Sequence, residues 1–259
     1  NEFTGALTGK SFNWGGSNLR PEATGYGNVY FAEHMLKTKN KTFKNKTIVI
    51  SGSGNVAQYS CEKAIELGAK VVTLSDSSGF IYDKDGVTIE KLKFVFHLKN
   101  EKRGRIKEYA DKFNCQYFEG KPWGINCDIA LPCATQNELN EGDAKNLVAN
   151  GCFCVSEGAN MPCTPEAISI FQDAKILYAP GKAANAGGVA TSALEMSQNS
   201  LRMYWSSKEV DEKLKTIMSQ IHESCVKYGK EEGYIDYVKG ANVAAFFKIA
   251  HSMIDQGVV

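Results

Sequence analysis

The sequence lacks both a long hydrophobic run and an excess of one charge. No apolar stretch approaches the roughly 20 residues that a helix needs to cross a bilayer, so we expect no membrane-spanning segment. The 30 Lys and Arg residues are balanced by 29 Asp and Glu residues, and no basic stripe concentrates the positive charge. Because nucleic acids and anionic membranes attract concentrated positive charge, we expect neither as a partner.

Metal-binding and disulfide patterns are also missing. The eight cysteines contain no Cys-x-x-Cys pair, and most lie among apolar residues, where a thiol behaves as a small hydrophobe. The four histidines are scattered, with no two spaced i, i+4, so nothing supports a zinc site and we predict no metal. Residues 1–5 show neither the basic nor the apolar stretch of a secretion signal. These features favour a cytoplasmic protein whose cysteines are reduced.

The most informative feature that is present is a glycine-rich turn after an apolar segment. Residues 48–50 (Ile-Val-Ile) run into the pattern Gly-x-Gly-x-x-Ala at 52–57, which opens a helix-like stretch. Gly52 can supply a tight turn, Gly54 lets the backbone approach a diphosphate, and Ala57 lets the helix pack closely on its strand. The N-terminus of that helix offers free N–H groups to the anion. The pattern predicts a dinucleotide site, although a structural strand–turn–helix shows the same spacing.

A second apolar segment strengthens this prediction. Residues 70–76 end in Asp76, roughly twenty positions after the turn, where a ribose contact is expected. A methyltransferase is disfavoured, because its glycine loop typically follows an acidic residue, whereas this chain has Ser51 there.

Hydrophobic periodicity predicts the fold class. Short apolar runs bounded by turn residues alternate with helical stretches, which is typical of parallel strands covered by helices on both faces. After Pro180 only helical patterns follow. We therefore predict an α/β fold with a Rossmann-like, doubly wound, mainly parallel sheet and a helical C-terminal tail. The predicted strands are 48–50, 70–76, 116–118, 128–131, 152–155 and 175–178; the predicted helices are 22–37, 56–67, 88–113 (broken near Gly104), 141–149, 165–173, 185–205, 207–228 and 241–256.

The loops at the carboxyl ends of the strands form the expected binding edge of such a sheet. They contain Asn, Thr, Ser and Gly, and Asn amides suit a carboxamide and ribose hydroxyls because they both donate and accept hydrogen bonds. The loops are 51–55, 76–79, 132–137, 157–162 and 180–189.

Four motifs along nearly the whole chain carry a resemblance to a known family. They are Arg-Pro-Glu-Ala-Thr-Gly-Tyr-Gly at 20–27, Thr-Gln-Asn at 135–137, Glu-Gly-Ala-Asn-Met-Pro at 157–162 and Asn-Ala-Gly-Gly-Val-Ala-Thr-Ser at 185–192. They resemble the signatures of hexameric, NADP-dependent glutamate dehydrogenase. The resemblance implies the reversible, NADP-dependent oxidative deamination of L-glutamate to 2-oxoglutarate and ammonia.

The resemblance also implies roles for individual residues. Asn160 and Asn185 would lie near the nicotinamide, while Ser192 would meet the side-chain carboxylate of the substrate, with Val189 lining that pocket and Arg20 near it. The structural alternatives are a turn residue for Asn160 and a helix-surface serine for Ser192. The remaining expected cofactor contacts are Thr24 (alternatively a helix start), Gly52, Ser53, Gly54, Asn55, Val56, Asp76, Ser77, Lys99, Arg105, Ala134 and Thr135.

The choice between NADP and NAD depends on the end of the second strand. Asp76 by itself favours NAD, because a carboxylate there accepts from a ribose 2′-hydroxyl and repels a 2′-phosphate. Ser77 can donate to a phosphate, and the resemblance associates a lysine and an arginine matching Lys99 and Arg105 with that group. We therefore predict NADP, with NAD as the alternative, and with a solvated charged helix face as the alternative for residues 99–107.

The resemblance places a lysine and an aspartate for catalysis in an N-terminal substrate domain, and no segment here matches that domain. We expect residues 1–20 to be a hinge, 21–240 a dinucleotide-binding domain and 241–259 a helix that crosses back to the absent domain. Such a chain would contain no catalytic residue and would bind cofactor without turnover. The parent enzyme would be a homohexamer, and this chain a monomer or weak dimer. Lys182 is interpreted as a loop cation.

Two other functions stay open at this point. A leucine- or phenylalanine-type amino acid dehydrogenase shares the cofactor domain, but an apolar substrate calls for an apolar residue where this chain has Ser192. A stand-alone NADP-binding module is the other alternative, and it rests only on the absence of a segment matching the substrate domain.

Overall fold

A seven-stranded sheet organises the computed structural model, which describes residues 5–257. Its strand order is 4-3-2-1-5-6-7; strands 1, 2, 5, 6 and 7 are parallel, and strands 3 and 4 form an antiparallel edge. The predicted mainly parallel sheet is thereby confirmed. The strands are β1 Thr47–Ile50, β2 Lys70–Asp76, β3 Gly79–Tyr82, β4 Gln116–Glu119, β5 Ile129–Leu131, β6 Cys154–Ser156 and β7 Leu177–Ala179.

Helices cover both faces of the sheet, as the continuous apolar strands require. Ile48 and Ile50 of β1 face one hydrophobic core, whereas Val49 between them faces a second core on the other side. The helices are α1 Ala23–Lys37, α2 Asn55–Glu66, α3 Ile89–Phe96, α4 Lys107–Phe113, α5 Glu141–Ala149, α6 Pro165–Asp173, α7 Gly181–Ala184, α8 Gly187–Leu201, α9 Ser207–Gly229 and α10 Tyr237–Gln256.

Three short strands and the short helix α7, which lies in the predicted loop 180–189, were missed by the sequence prediction. Strand β3 lies where only a turn-containing excursion was expected, and it pairs antiparallel with β2. A two-residue hairpin, β8 Lys230–Glu231 with β9 Tyr234–Ile235, separates the last two helices. Strands β8 and β9 are too short to show a period of their own, and β3 is stabilised by pairing with β2 and β4.

The expected boundary at residues 240 and 241 falls inside a helix. Helix α10 begins at Tyr237, because the Asp236 carboxylate caps it by accepting from the N–H groups of Val238 and Lys239, each at 2.9 Å. Residues 1–4 of the expected hinge and 258–259 of the expected last helix lie outside the described residues.

The described part of the expected hinge packs onto α8. The Glu195 carboxylate, fully buried, accepts from the Lys10 ammonium at 2.6 Å and from the Gly9 N–H at 2.9 Å. Burial alone would raise the pKa of Glu195, but these hydrogen bonds and the Lys10 charge prevail and lower it. The contact fixes residues 9 and 10 against the helix that carries Ser192.

Candidate functional site

The turn between β1 and α2 has the geometry of an anion site. Gly52 adopts a φ of +83°, a region that favours glycine, and a Cβ there would lie 3.0 Å from the Cys133 carbonyl oxygen. Gly54 is exposed, and a Cβ on it would meet nothing within 4 Å, so the space above it is open. No side chain caps the N-terminus of α2. Its exposed N–H groups, at Asn55 and after it, are therefore free to receive an anion.

A cleft of about 840 Å³ adjoins this turn, and most of the predicted site residues line it. Its walls come from α1, α8 and the loops that follow β5, β6 and β7. The predicted residues that it brings together are Arg20, Thr24, Val56, Ala134, Thr135, Asn160, Asn185, Val189 and Ser192; Ser53, by contrast, is buried beneath the turn.

The end of β2 forms a separate cluster outside the cleft lining. The Asp76 carboxylate accepts from the N–H of Ser78 at 2.9 Å and from the N–H of Ile106 at 2.8 Å. The Lys99 ammonium lies 3.8 Å from the same carboxylate, and the Arg105 guanidinium donates to the Ser77 hydroxyl at 2.8 Å. Lys99 and Arg105 thus both lie at the end of β2.

Arg20 and Ser192 are in contact in the cleft lining. The Arg20 guanidinium donates from Nε to the Ser192 hydroxyl at 2.9 Å. Helices α1 and α8 approach closely here, since a Cβ on Gly188 would lie 2.3 Å from the Thr24 hydroxyl oxygen. Val189 is 70% exposed beside them. A guanidinium, a hydroxyl and an aliphatic side chain are the contacts that a carboxylate on a short carbon chain requires.

The side-chain amides of Asn160 and Asn185 meet in the cleft lining. The Asn185 amide donates to the Asn160 side-chain oxygen at 2.7 Å and to the Ala159 carbonyl at 3.3 Å. Lys182 lies outside the cleft lining and its ammonium contacts the Asn242 side chain of α10.

The sequence prediction missed the buried carboxylates beneath the site. Glu138 accepts from the Ser51 hydroxyl at 2.8 Å and from the Ala134 N–H at 3.0 Å, so it ties the β1 end to the loop after β5. Burial raises the pKa of Glu138. The sequence did offer one sign of this role, because the acidic Glu138 directly follows the neutral Thr-Gln-Asn motif at 135–137. Glu157, in the loop after β6, likewise accepts from the Tyr178 hydroxyl and the Gly181 N–H, so it ties that loop to the end of β7 and the start of α7.

Cys133 is the only thiol in the cleft lining of the described residues, and it is not a nucleophile. Burial raises its pKa to about 12, so the thiol is protonated at neutral pH. Over residues 5–257, no group of three His, Cys, Asp or Glu side chains is arranged to hold a metal ion. In the same residues, no helix is both long enough and apolar enough to span a bilayer.

Comparison with known proteins gives consistent matches. The NAD(P)-specific glutamate dehydrogenase of Xylanibacter ruminicola is 64% identical over 99% of this chain and 58% of its own length. The NADP-specific glutamate dehydrogenase of Haemophilus influenzae is 58% identical over 100% of this chain and 58% of its own length. The chain thus spans about 58% of the length of these curated relatives.

A solved structure and a family profile agree with these relatives. The Plasmodium falciparum glutamate dehydrogenase superposes with a TM-score of 0.96 at 52% sequence identity, covering 100% of this chain and 56% of that one. The profile described as Glutamate/Leucine/Phenylalanine/Valine dehydrogenase matches residues 15–257. These matches confirm the resemblance that the motifs predicted. The chain belongs to the Glutamate/Leucine/Phenylalanine/Valine dehydrogenase family.

Proposed function

We propose that this chain is the cofactor-binding part of an NADP-dependent glutamate dehydrogenase, which interconverts L-glutamate with 2-oxoglutarate and ammonia. The observation that carries the proposal is the uncapped N-terminus of α2, opening at Gly54 beside the large cleft. Such a terminus receives a dinucleotide diphosphate through backbone N–H groups. Curated relatives of this name support the substrate class.

The cluster at the β2 end supports NADP as the cofactor. Both oxygens of Asp76 already accept backbone N–H groups, so the carboxylate has less capacity for a ribose hydroxyl. Lys99 partly neutralises it, and Ser77 and Arg105 offer donors to a 2′-phosphate. One relative is named for both cofactors, so NAD remains the alternative.

Arg20 and Ser192 would receive the side-chain carboxylate of glutamate. The guanidinium supplies charge and the hydroxyl a second donor, while Val189 contacts the methylene carbons. A leucine- or phenylalanine-type substrate fits less well, because it would leave the Arg20 charge unpaired against an apolar side chain.

The chain holds and orients the cofactor, but the general acid and base come from elsewhere in the proposed parent. Within the described residues, Arg20 and Cys133 are the only ionisable side chains that line the cleft. The Arg20 guanidinium has no acceptor atom, and the Cys133 thiol stays protonated near neutral pH because burial raises its pKa. A bound nicotinamide would carry the hydride, and hydride transfer requires the reacting carbons about 3–3.5 Å apart. We infer that closure of an N-terminal substrate domain supplies this distance and the missing groups.

Titration and assay of the purified chain test this proposal. We expect NADPH to bind and glutamate-dependent reduction of NADP to be undetectable. Absence of NADPH binding would contradict the function, whereas measurable turnover would contradict only the assignment of the acid and base to an absent domain.

A further inference from the structure

Glu157 is a buried carboxylate without a cation. It is 3% exposed, and no Lys or Arg within the described residues forms a salt bridge with it. One oxygen accepts from the Tyr178 hydroxyl at 2.6 Å and from the Cys163 N–H at 3.3 Å. The other accepts from the Gly181 N–H at 2.6 Å. Because a buried carboxylate is costly unless hydrogen bonds satisfy it, these three donors are what holds Glu157 in place.

These bonds join the two loops that carry the Asn160 and Asn185 amides. Glu157 and Cys163 bracket the loop with Asn160, and Gly181 opens the short helix α7 that leads to Asn185. The approach is close, since a Cβ on Gly181 would lie 2.8 Å from the Ala159 carbonyl oxygen. Burial, and then the charge of Glu157, raise the pKa of Tyr178, so its hydroxyl remains a donor. These contacts thereby hold the hydrogen bond between Asn160 and Asn185 in a fixed position in the cleft lining.

The strand order places Asn160 and Asn185 where the nicotinamide half of a dinucleotide would lie. Strand β2, whose end carries Asp76, lies on one side of β1, and β5, β6 and β7 lie on the other. With the diphosphate at the β1–α2 turn and the adenosine ribose at the β2 end, the nicotinamide half must extend over β5 to β7. Asn160 and Asn185 lie on that side.

We propose that Glu157, acting with Tyr178, is the positioning residue of the nicotinamide half of the site, an assignment that rests on the proposed function. The carboxylate fixes Asn160 and Asn185 where their amides meet the nicotinamide, and it has no part in holding the adenosine phosphate. In Glu157→Gln, the amide NH₂ faces an N–H of Gly181 or Cys163, and two donors cannot pair.

Two ligands separate this role from a general effect on folding. NADPH occupies both halves of the site, whereas adenosine 2′,5′-bisphosphate occupies only the adenosine half. Calorimetric titration of Tyr178→Phe and Glu157→Gln should show NADPH affinity lowered by about fivefold or more, because a hydrogen bond to a charged group is lost. Affinity for adenosine 2′,5′-bisphosphate should change by less than about twofold, the usual limit for a distant, independent site.

Tyr30→Phe is the matched control. Tyr30 is also buried and donates to the Asp211 carboxylate at 2.6 Å, but it joins α1 to α9, away from both loops. It should leave the ratio of the two affinities unchanged. If Glu157→Gln does not fold, the two affinities of Tyr178→Phe alone test the proposed role of Glu157.

If Tyr178→Phe and Glu157→Gln left the ratio of the NADPH affinity to the adenosine 2′,5′-bisphosphate affinity unchanged, the role proposed for Glu157 would be wrong. Weakening both ligands equally is one such result. If the unaltered chain bound neither ligand, the proposed function itself would be wrong, and the Glu157 assignment with it. Measuring the unaltered chain first keeps the two failures distinct.

Discussion

Two glycines two positions apart have different tasks at the residue scale. Gly52 is needed for the fold, because its φ is +83° and neighbouring backbone leaves a Cβ only 3.0 Å from an oxygen. Gly54 has an ordinary φ of −84° and open space around it. A side chain at Gly54 would therefore leave the fold unchanged and would affect only a ligand bound in that space.

Gly54→Ala should therefore separate binding from stability. We expect the free energy of unfolding to change by less than about 1 kcal/mol, because any residue adopts this backbone and the poorer N-cap that alanine makes is offset by the lower entropy of the unfolded chain. NADPH affinity should fall about tenfold or more, because the added methyl group occupies the place of the diphosphate. Gly52→Ala is the comparison variant and should lose about 1 kcal/mol or more of stability. Urea unfolding and calorimetric titration give both quantities, and unchanged NADPH affinity in Gly54→Ala would contradict the proposed position of the diphosphate.

The cations at the β2 end decide the preference between cofactors. Combining Lys99→Ala with Arg105→Ala removes two phosphate donors, so NADPH affinity should fall about tenfold or more while NADH affinity changes little. The ratio of the two dissociation constants is the measurement. Combining Lys208→Ala with Lys145→Ala, two exposed lysines on α9 and α5, removes the same charge elsewhere and provides the control. An unchanged ratio would show that the chain does not read the 2′-phosphate through these side chains.

Helix α10 poses the main question at the scale of elements. It packs on α9 through one side, yet Phe246, Ile249 and Met253 on another side are 57–65% exposed. Exposed apolar patches on a helix mark a contact surface. We propose that this side meets the substrate domain in the parent homohexamer and that the chain on its own is a monomer or weak dimer.

Light scattering over a range of concentrations tests this proposal. Any weak self-association should disappear in Ile249→Lys, because a charge in an apolar contact is costly. Ser169→Lys, which adds the same charge at an exposed position of α6, should have little effect. A stable hexamer of the isolated chain would show that assembly does not need an absent domain.

At the scale of the whole molecule, the sequence predicted most of the sheet and the binding edge because strand burial is continuous. The run 70–76 matches β2 residue for residue, and three of the five loops at the binding edge, 132–137, 157–162 and 180–189, line one cleft. What could not be predicted depends on distant partners. Strand β3 exists through pairing with β2, and the role of Glu138 arises from Ser51, 87 positions earlier in the chain. No local pattern contains such contacts.

The central claim is that backbone N–H groups at the start of α2 hold the diphosphate of a dinucleotide. A crystal structure of the chain soaked with NADP tests it most directly. We predict the diphosphate oxygens about 3 Å from the backbone nitrogens of Asn55 and Val56, at the N-terminus of α2. A diphosphate bound away from residues 52–57 would contradict the account.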